Sequence, residues 1–147
     1  MEAIKNIPNY SGIGIYAIID TVTDKRYIGS SRNIRRRLMQ HNISIKNGKG
    51  NQGLCTAYNQ GHILRCEIIE KINYGINEFY LADRELFYIC EFDSINNGFN
   101  THKTPSSSKD ELESQLAETV NPKMRDYIII AIQKKYKAVD KGGKIEA

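Results

Sequence analysis

Apolar residues alternate with other residues along the segment from Ile13 to Asp20. Every second position in this segment is apolar: Ile13, Ile15, Ala17 and Ile19. A period of two predicts a strand with one apolar face. A turn over residues 21–24 and a second extended run over residues 25–30 follow, so the two runs predict an antiparallel hairpin. Gly29 in the second run indicates a close approach to the backbone at that point.

The spacing of apolar residues then changes to that of a helix. Ser31 or Asn33 can cap this helix, which ends where a loop over residues 46–51 begins. Its apolar stripe contains Ile34, Leu38 and Ile45. Arg37 and His41 are four residues apart, so they project from the same face of the helix. The loop is basic and rich in glycine and asparagine; it either contacts a backbone phosphate or is a plain surface loop.

Three more elements follow in the first hundred residues. They are a short helix around residues 54–58 that closes at Gly61, a strand over residues 63–69 and, after a loop at 71–76, a helix from residue 77 or 78 to about residue 92. Glu85 lies three residues after Ala82 and four before Ile89, which places it on or beside the apolar face of the last helix. Glutamate is rare there unless it is paired or binds a metal. Two interpretations of Glu85 remain: a structural salt bridge with an arginine such as Arg84, or a functional carboxylate.

The C-terminal part of the chain has a different character. Residues 101–108 are polar and contain Pro105 and three serines, which is typical of a linker. Residues 108–111 fit a capping box for a helix to about residue 120, and Asn121-Pro122 fits the start of another helix. The last helix lies among many lysines. It is either docked on a core or serves as an arm for DNA binding or subunit contact. We therefore divide the chain into a domain over residues 1–101 and a C-terminal helical extension over residues 102–147.

The composition is that of a globular chain, and its mild excess of positive charge suggests an anionic partner. The 147 residues are 40% hydrophobic and 26% charged, which is enough apolar material for a core without a metal or disulfide staple. The formal net charge is +4. Much of the positive charge falls in one short segment that holds Lys25, Arg26, Arg32, Arg35, Arg36 and Arg37. A solvated helix face is the plain alternative, but acids are nearly absent from the segment, which favours an anionic partner.

The three cysteines and the lack of apolar runs indicate the compartment. Cys55, Cys66 and Cys90 are odd in number, lie in apolar-rich stretches and have no zinc-ligand spacing, so we expect buried, reduced thiols. This favours a reducing, intracellular location in the cytoplasm. No stretch is long and apolar enough to span a membrane, and the first residues have no hydrophobic signal core.

Two tripeptides and a few later residues carry a resemblance to a known family. Gly14-Ile15-Tyr16 and Tyr27-Ile28-Gly29 are followed by Arg37 and His41 and then by Glu85 and Asn100. From about residue 13 to residue 100 the chain resembles the GIY-YIG nuclease family and is most similar to the catalytic domains of phage and intron homing endonucleases. Residues 83–89 and 97–100 are also similar to theirs. The resemblance implies an α/β (α+β) domain in which a small three-stranded antiparallel sheet is flanked by helices.

The resemblance also implies an active site. Its catalytic residues would be Tyr16, Tyr27, Arg37, His41, Glu85 and Asn100. Glu85 would hold a single divalent ion, Mg²⁺ or Mn²⁺, beside the scissile phosphate. Arg37 would bind the phosphate, and Tyr16 would orient or deprotonate the attacking water. Tyr27 and His41 would support these groups, and Asn100 would orient its neighbours. The cations that would follow the DNA backbone are Lys25, Arg26, Arg32, Arg35, Arg36 and Lys49.

The function that the resemblance implies is a metal-dependent endonuclease that cuts double-stranded DNA to 5′-phosphate and 3′-hydroxyl ends. A homing-type or free-standing phage-like nuclease is our expectation, as a monomer or weak dimer. A restriction endonuclease and a catalytically silent DNA-binding module are the alternatives. Two departures from the family pattern stand out. Residues 48–51 lack a histidine that homing members often place there, and no cysteine follows Cys90, so we expect no zinc finger.

Overall fold

The computed structural model describes residues 2–73 and 78–101, together with scattered helical positions in the C-terminal region. These positions are Glu113, Ser114, Leu116, Ala117, Pro122, Arg125, Asp126, Ile128 and Ile129. The chain divides into two compact units, Met1–Asn100 and Thr101–Ala147. In the second unit the Arg125 guanidinium donates to the Leu116 carbonyl at 2.8 Å. The predicted linker over residues 101–108 lies outside the described residues except for Thr101, as do the capping box at 108–111 and the residues from 130 onward.

The first unit contains a sheet with helices on both sides. Its elements are β1 (Ile4–Lys5), β2 (Ile13–Asp20), β3 (Arg26–Ser31), α1 (Ile34–Lys46), α2 (Gln52–Asn59), β4 (Leu64–Ile72) and α3 (Glu78–Glu91). The strands lie in the order β1-β4-β2-β3. β2 is antiparallel to both β3 and β4, whereas β1 is parallel to β4. The α+β class predicted from the sequence is confirmed.

The sequence predicted three antiparallel strands, but the sheet has a fourth strand, β1, which is parallel to β4. The Asn42 side chain on α1 accepts hydrogen bonds from the N–H groups of Ala3 and Ile4, at 2.7 and 2.9 Å. Ile4 is buried and pairs with Leu64. A strand of two residues is too short to show a period in the sequence. It forms because a distant asparagine side chain holds its backbone.

All eight residues of β2 are buried, although the alternation predicted only one apolar face. Tyr16 and Ile18 pack in one core cluster with Ile34 and Leu38 of α1. The helix α3 lies against β2 and β3, and its residues Leu81, Leu86, Ile89 and Cys90 are buried. Because successive side chains of a strand point to opposite faces, helices cover β2 from both sides. The Tyr16 side chain of β2 therefore lies on the α1 side of the sheet, where the candidate active site is located.

Hydrogen bonds determine where the helices and strands begin and end, and the local sequence predicts only some of these bonds. Asn33 caps α1, because its side chain accepts a hydrogen bond from the Arg36 N–H. The N–H groups of Ile34 and Arg35 donate to the carbonyls of Gly12 and Tyr10, at 3.1 and 2.9 Å. The start of α1 is thus satisfied by the chain itself. At the other side of the sheet, β4 extends to Ile72, so the loop predicted from residue 71 was placed too early. Pairing with Ile13 holds these last residues in the sheet.

The prediction of buried, reduced cysteines is confirmed. All three are buried, and none of them forms a disulfide in the described part of the chain. In the part of the chain that the structure describes, none of the helices has the length and apolar character needed to cross a bilayer.

A buried carboxylate holds the turn between β2 and β3. Asp20 is only 1% exposed and accepts hydrogen bonds from the Val22 N–H, the Thr23 hydroxyl and His62 Nδ1, at 2.9, 3.0 and 2.8 Å. Burial by itself would raise the pKa of Asp20. The hydrogen bonds from His62, Val22 and Thr23 outweigh burial, and the pKa lies below its usual value. The ionised form is therefore the one that this turn stabilises.

Replacing Asp20 by asparagine should lower the free energy of unfolding by about 2 kcal/mol at neutral pH, the scale of hydrogen bonds to a charged group. Because the pKa is depressed in the folded state, this contribution exists above the unfolded pKa of ~3.9 and is lost as pH falls below it. Urea unfolding of wild type and Asp20→Asn at neutral and acidic pH measures the difference. A gap that stays constant as pH falls would contradict the role of the charge.

Candidate active site

Two tyrosines and a histidine meet on the α1 side of the sheet. The sequence left the hairpin register open. In the structure Tyr16 pairs with Gly29 and Ile18 with Tyr27, so the two tyrosines share a face. Their ring centroids are 6.5 Å apart. His41 of α1 lies against both rings, with centroid distances of 5.7 and 5.4 Å. A hydrogen bond of 2.8 Å joins the Tyr16 hydroxyl to His41 Nε2.

Gly29 is required by this arrangement. A Cβ atom built on Gly29 would overlap the hydroxyl end of the Tyr16 ring. The Tyr16 side chain crosses directly over the neighbouring strand to reach His41. The close backbone approach predicted for Gly29 is therefore made by the phenol of Tyr16.

Replacing Gly29 by alanine should displace the Tyr16 ring and break its hydrogen bond to His41. Overpacking of this kind costs about 1–3 kcal/mol of stability. A shift of about 1 Å at a reacting group can reduce turnover about a hundredfold. We therefore expect a folded protein with greatly reduced cleavage, measured by thermal unfolding and by a DNA cleavage assay. Wild-type cleavage by Gly29→Ala would mean that the position of the Tyr16 phenol is unimportant.

Arg37 extends from an exposed position of α1, one turn before His41. Its terminal nitrogen contacts Gln40 Oε1 at 3.4 Å. Its positive charge lowers the pKa of four neighbouring groups: Tyr16, Tyr27, His41 and Glu85. The charge of one exposed guanidinium thus acts on both tyrosines, the histidine and the carboxylate. Such a group is suited to bind a phosphate from solution.

Glu85 reaches this region from α3, on the opposite side of the sheet. It is 5% exposed and lies between Leu81 and Ile89, one turn away in each direction and both buried. Its carboxylate accepts a hydrogen bond from the Ser30 hydroxyl of β3. The alternative of a salt bridge with Arg84 is wrong. Arg84 instead binds Glu70 of β4, at 3.1 and 2.9 Å.

Burial sets the charge states of these groups. It raises the pKa of Glu85 to about 6, although the Ser30 hydrogen bond and the Arg37 charge oppose the shift. Burial and then the Arg37 charge lower the pKa of His41 to about 4. Burial raises the pKa of both Tyr16 and Tyr27 above the usual value. At neutral pH the phenols are therefore protonated, the imidazole is neutral and the carboxylate is mostly ionised.

Asn100 acts on the backbone of β3. Its Oδ1 accepts from the Ile28 N–H at 2.8 Å, and its Nδ2 donates to the Ile28 carbonyl at 3.0 Å. The Ser94 hydroxyl also donates to Oδ1, at 2.7 Å. β3 is the last strand of the sheet, so the Asn100 amide takes the place of a neighbouring strand at this point. The amide thus fixes the backbone between Tyr27 and Gly29, two residues of the site.

Most of the cations predicted to follow the DNA backbone are exposed. These are Lys25, Arg32, Arg36 and Lys49. Arg26 is partly built into the fold, because its guanidinium stacks 4.8 Å from the Phe92 ring centroid and lies 3.6 Å from Asp24. Arg35 is directed at the Pro8 carbonyl at 3.4 Å. It is about 200° around the helix from Arg37, since each residue turns a helix by about 100°.

Sequence reasoning missed Ser30, the serine that contacts Glu85. The alternation of β3 could have indicated it, because Ser30 lies on the same face of the strand as Ile28 and on the opposite face from Tyr27. The loop where a histidine was expected contributes Asn51 instead. Asn51 caps α2 and donates to the Phe99 carbonyl at 2.7 Å, so its side chain has a structural role.

The donor groups fit one hard divalent cation. Over residues 2–73 and 78–101, and the described helical positions beyond them, no cluster of three or more His, Cys, Asp or Glu side chains could enclose a metal. A single buried carboxylate such as Glu85 suits Mg²⁺, which keeps several waters and takes few protein ligands. Phosphate oxygens would supply part of the coordination. A closed zinc-type site does not fit these residues.

Comparison with known proteins identifies the domain. A family model described as the GIY-YIG catalytic domain matches residues 12–127. Intron-associated endonuclease 1 of Enterobacteria phage T4 is 32% identical over 120 residues, which cover 76% of this chain. The chain spans about half of that relative, 48% of its length.

Two solved structures have a similar fold. One is the catalytic domain of the homing endonuclease I-TevI, with 31% identity, a TM-score of 0.56, and coverage of 60% of this chain and 96% of that domain. A mutant form of the catalytic domain of intron endonuclease I-TevI matches with the same identity and a TM-score of 0.55 over 60% of this chain and 91% of that domain. The chain belongs to the GIY-YIG nuclease family.

Proposed function

We propose that this protein is a metal-dependent endonuclease that hydrolyses phosphodiester bonds of double-stranded DNA. The observation that carries the proposal is the convergence of Arg37, the Tyr16–His41 pair and Glu85 at one end of β3. The charge of Arg37 acts on the other three groups, Tyr16, His41 and Glu85. A silent DNA-binding module has no need for a buried carboxylate beside an exposed arginine. The presence of all six expected residues therefore favours an active enzyme.

The Tyr16–His41 hydrogen bond provides a route for the proton of the attacking water. A phenol with a raised pKa is not ionised, so Tyr16 alone is a poor base. As the water attacks, its proton passes to the Tyr16 oxygen while the Tyr16 proton passes to neutral His41 Nε2. The proton on the pair thus ends on the imidazole. Arg37 suppresses protonation of His41, and charge developing on the phosphate would offset that suppression during the reaction.

Attack on phosphorus breaks the bond to the 3′ oxygen of the preceding nucleotide. The products are a 5′-phosphate and, after the leaving oxygen takes a proton from solvent, a 3′-hydroxyl. Arg37 stabilises the extra negative charge of the transition state through its planar guanidinium. Bound at Glu85, Mg²⁺ or Mn²⁺ would act as a Lewis acid on the phosphate. Tyr27, against both Tyr16 and His41, holds these rings in place.

The DNA would be held mainly through charge. Four exposed cations lie close in sequence to the site residues of β3 and α1, and their charge favours binding of a polyanion. They are Lys25, Arg32, Arg36 and Lys49. Similarity to an endonuclease named as intron-associated supports a homing-type or related free-standing phage-like nuclease. We assign residues 102–147 a non-catalytic role, which is either packing on the core or contact with DNA or another subunit.

Incubation of the purified chain with plasmid, linear and branched DNA in the presence of Mg²⁺ tests this function. We expect cleavage with Mg²⁺ or Mn²⁺ and none with EDTA. The product ends should be sealed by DNA ligase without prior treatment, because they carry 5′-phosphate and 3′-hydroxyl groups. DNA binding without cleavage of any substrate would instead establish a binding module.

A further inference from the structure

The Ser30 hydroxyl is the side-chain group that hydrogen-bonds to Glu85 among the residues described. Ser30 pairs with Ile15 across β2 and β3, so its backbone position is fixed by the sheet. Alternation along β3 turns Ser30 toward α3 and Tyr27 toward α1. One strand thus supplies a tyrosine to one side of the site and a hydroxyl to its carboxylate on the other.

A carboxylate as buried as Glu85 needs such a partner. Its neighbours one turn away on α3, Leu81 and Ile89, are apolar and buried, and they cannot hydrogen-bond to it. An unpaired buried charge is costly and would rotate toward water or a cation. A hydroxyl donor can occupy one carboxylate oxygen and leave the other available. One oxygen of the Glu85 carboxylate thus accepts the hydrogen bond from Ser30, and the other can bind a ligand.

Arg37 does not take this place. Among the described residues no ion pair within 4.0 Å links Arg37 to Glu85, although its charge acts on the carboxylate. A direct pair would neutralise both the phosphate-binding cation and the metal-binding anion. Neutral Ser30 holds Glu85 without that cost, and Arg37 stays exposed to solvent.

We propose that Ser30 is a positioning residue that fixes Oε1 of Glu85 and thereby presents Oε2 to the catalytic divalent cation. This inference rests on the proposed function, in which Glu85 binds the metal. Residues that orient a metal ligand through hydrogen bonds typically contribute about 10- to 100-fold to metal affinity or activity. Loss of the Ser30 hydroxyl should therefore weaken metal use more than it weakens DNA binding.

The test compares Ser30→Thr with Ser30→Val in the full chain. Threonine and valine have nearly the same shape and both suit a strand, so the pair isolates the hydroxyl. Mn²⁺ binding is measured by the paramagnetic resonance signal of the free ion, and cleavage is measured against Mg²⁺ concentration. We expect Ser30→Val to weaken Mn²⁺ binding and raise the half-saturating Mg²⁺ concentration by about tenfold or more. Ser30→Thr should remain within about threefold of wild type on both readouts.

Ser31→Ala and Glu85→Gln are the controls. Ser31 is the adjacent serine, but its hydroxyl bonds to the backbone of Asn33, so Ser31→Ala should leave Mn²⁺ binding unchanged. Equal Mn²⁺ binding and equal Mg²⁺ dependence for Ser30→Val and Ser30→Thr would overturn the role of Ser30. Glu85→Gln and wild type separate the two failures: normal Mn²⁺ binding and cleavage by Glu85→Gln would show that Glu85 is not the metal ligand, whereas absence of cleavage by wild type would refute the proposed function itself.

Discussion

Replacing Glu85 by glutamine is expected to abolish DNA cleavage and to leave the protein as stable as wild type or more stable. Glutamine keeps the shape of the side chain and an oxygen that can accept the Ser30 hydrogen bond, but it removes the charge that binds the cation. We expect cleavage to fall by at least about a thousandfold, or ~4 kcal/mol of transition-state stabilisation. DNA binding should largely survive, because the exposed cations are unchanged.

The expected gain in stability follows from the pKa of Glu85. Burial raises this pKa from 4.5 to about 6 in the folded protein. The folded state therefore binds the proton more tightly than the unfolded state does, and ionisation opposes folding above that range. The shift corresponds to a penalty of about 2 kcal/mol at neutral pH that disappears below about pH 4. Glutamine carries no such penalty, so Glu85→Gln should gain up to about 2 kcal/mol at neutral pH and nothing in acid.

Urea unfolding at neutral and acidic pH, together with a plasmid cleavage assay, measures both effects. Glu70→Gln is the matched control, because Glu70 binds Arg84 and Tyr88, whereas Glu85 binds Ser30. Glu70→Gln should lose some stability and keep its cleavage activity. An inactive Glu85→Gln that is also unfolded would show a structural role only. An active Glu85→Gln would remove the carboxylate from the mechanism.

Replacing Arg37 by alanine should reduce cleavage by about a thousandfold, which is the scale of a group that stabilises charge in the transition state. Arg37→Lys should recover only part of the loss, since an ammonium group lacks the planar fork. Stability should change little, because Arg37 is exposed and its hydrogen bond to Gln40 is long, at 3.4 Å. Single-turnover cleavage, with saturating enzyme in excess over DNA, separates this effect from binding.

Arg36→Ala is the control for charge alone. Arg36 is exposed and adjacent in sequence, so its loss should weaken binding and reduce the salt dependence without changing single-turnover cleavage. A second readout is the NMR titration of His41. The Arg37 charge helps to lower the pKa of His41 to about 4, so that pKa should rise in Arg37→Ala and stay the same in Arg36→Ala. Equal losses of turnover in the two variants would show that Arg37 acts only as a general cation.

The central hairpin and the helices were predictable because their periods are local. The alternation of β2, the Asn33 cap of α1 and the burial of Glu85 on α3 all follow from neighbours within a few residues. The helical spacing of Arg37 and His41 also placed both on one face. Family resemblance then indicated which of these residues meet.

Contacts between distant segments were not predictable in the same way. Asn42 holds β1, and Asn100 binds both backbone groups of Ile28, 72 residues earlier in the chain. Each asparagine side chain hydrogen-bonds to backbone groups of a strand at the edge of the sheet. No periodic pattern in the sequence shows which residue is its partner. The same applies to Ser30, whose hydroxyl becomes important only when α3 brings Glu85 across the sheet. Burial by distant elements also sets the low pKa of His41, which the sequence does not show.

The most direct measurement is the position of Mn²⁺ in a crystal of the full chain bound to duplex DNA. Tyr16→Phe would slow cleavage, and anomalous scattering would locate the cation. We predict Mn²⁺ within about 2.2 Å of a Glu85 carboxylate oxygen and of a phosphate oxygen, as expected for a small, hard divalent cation. The same phosphate should contact Arg37. A cation bound elsewhere, with Glu85 turned away from the DNA, would contradict a single metal-dependent site at this end of β3.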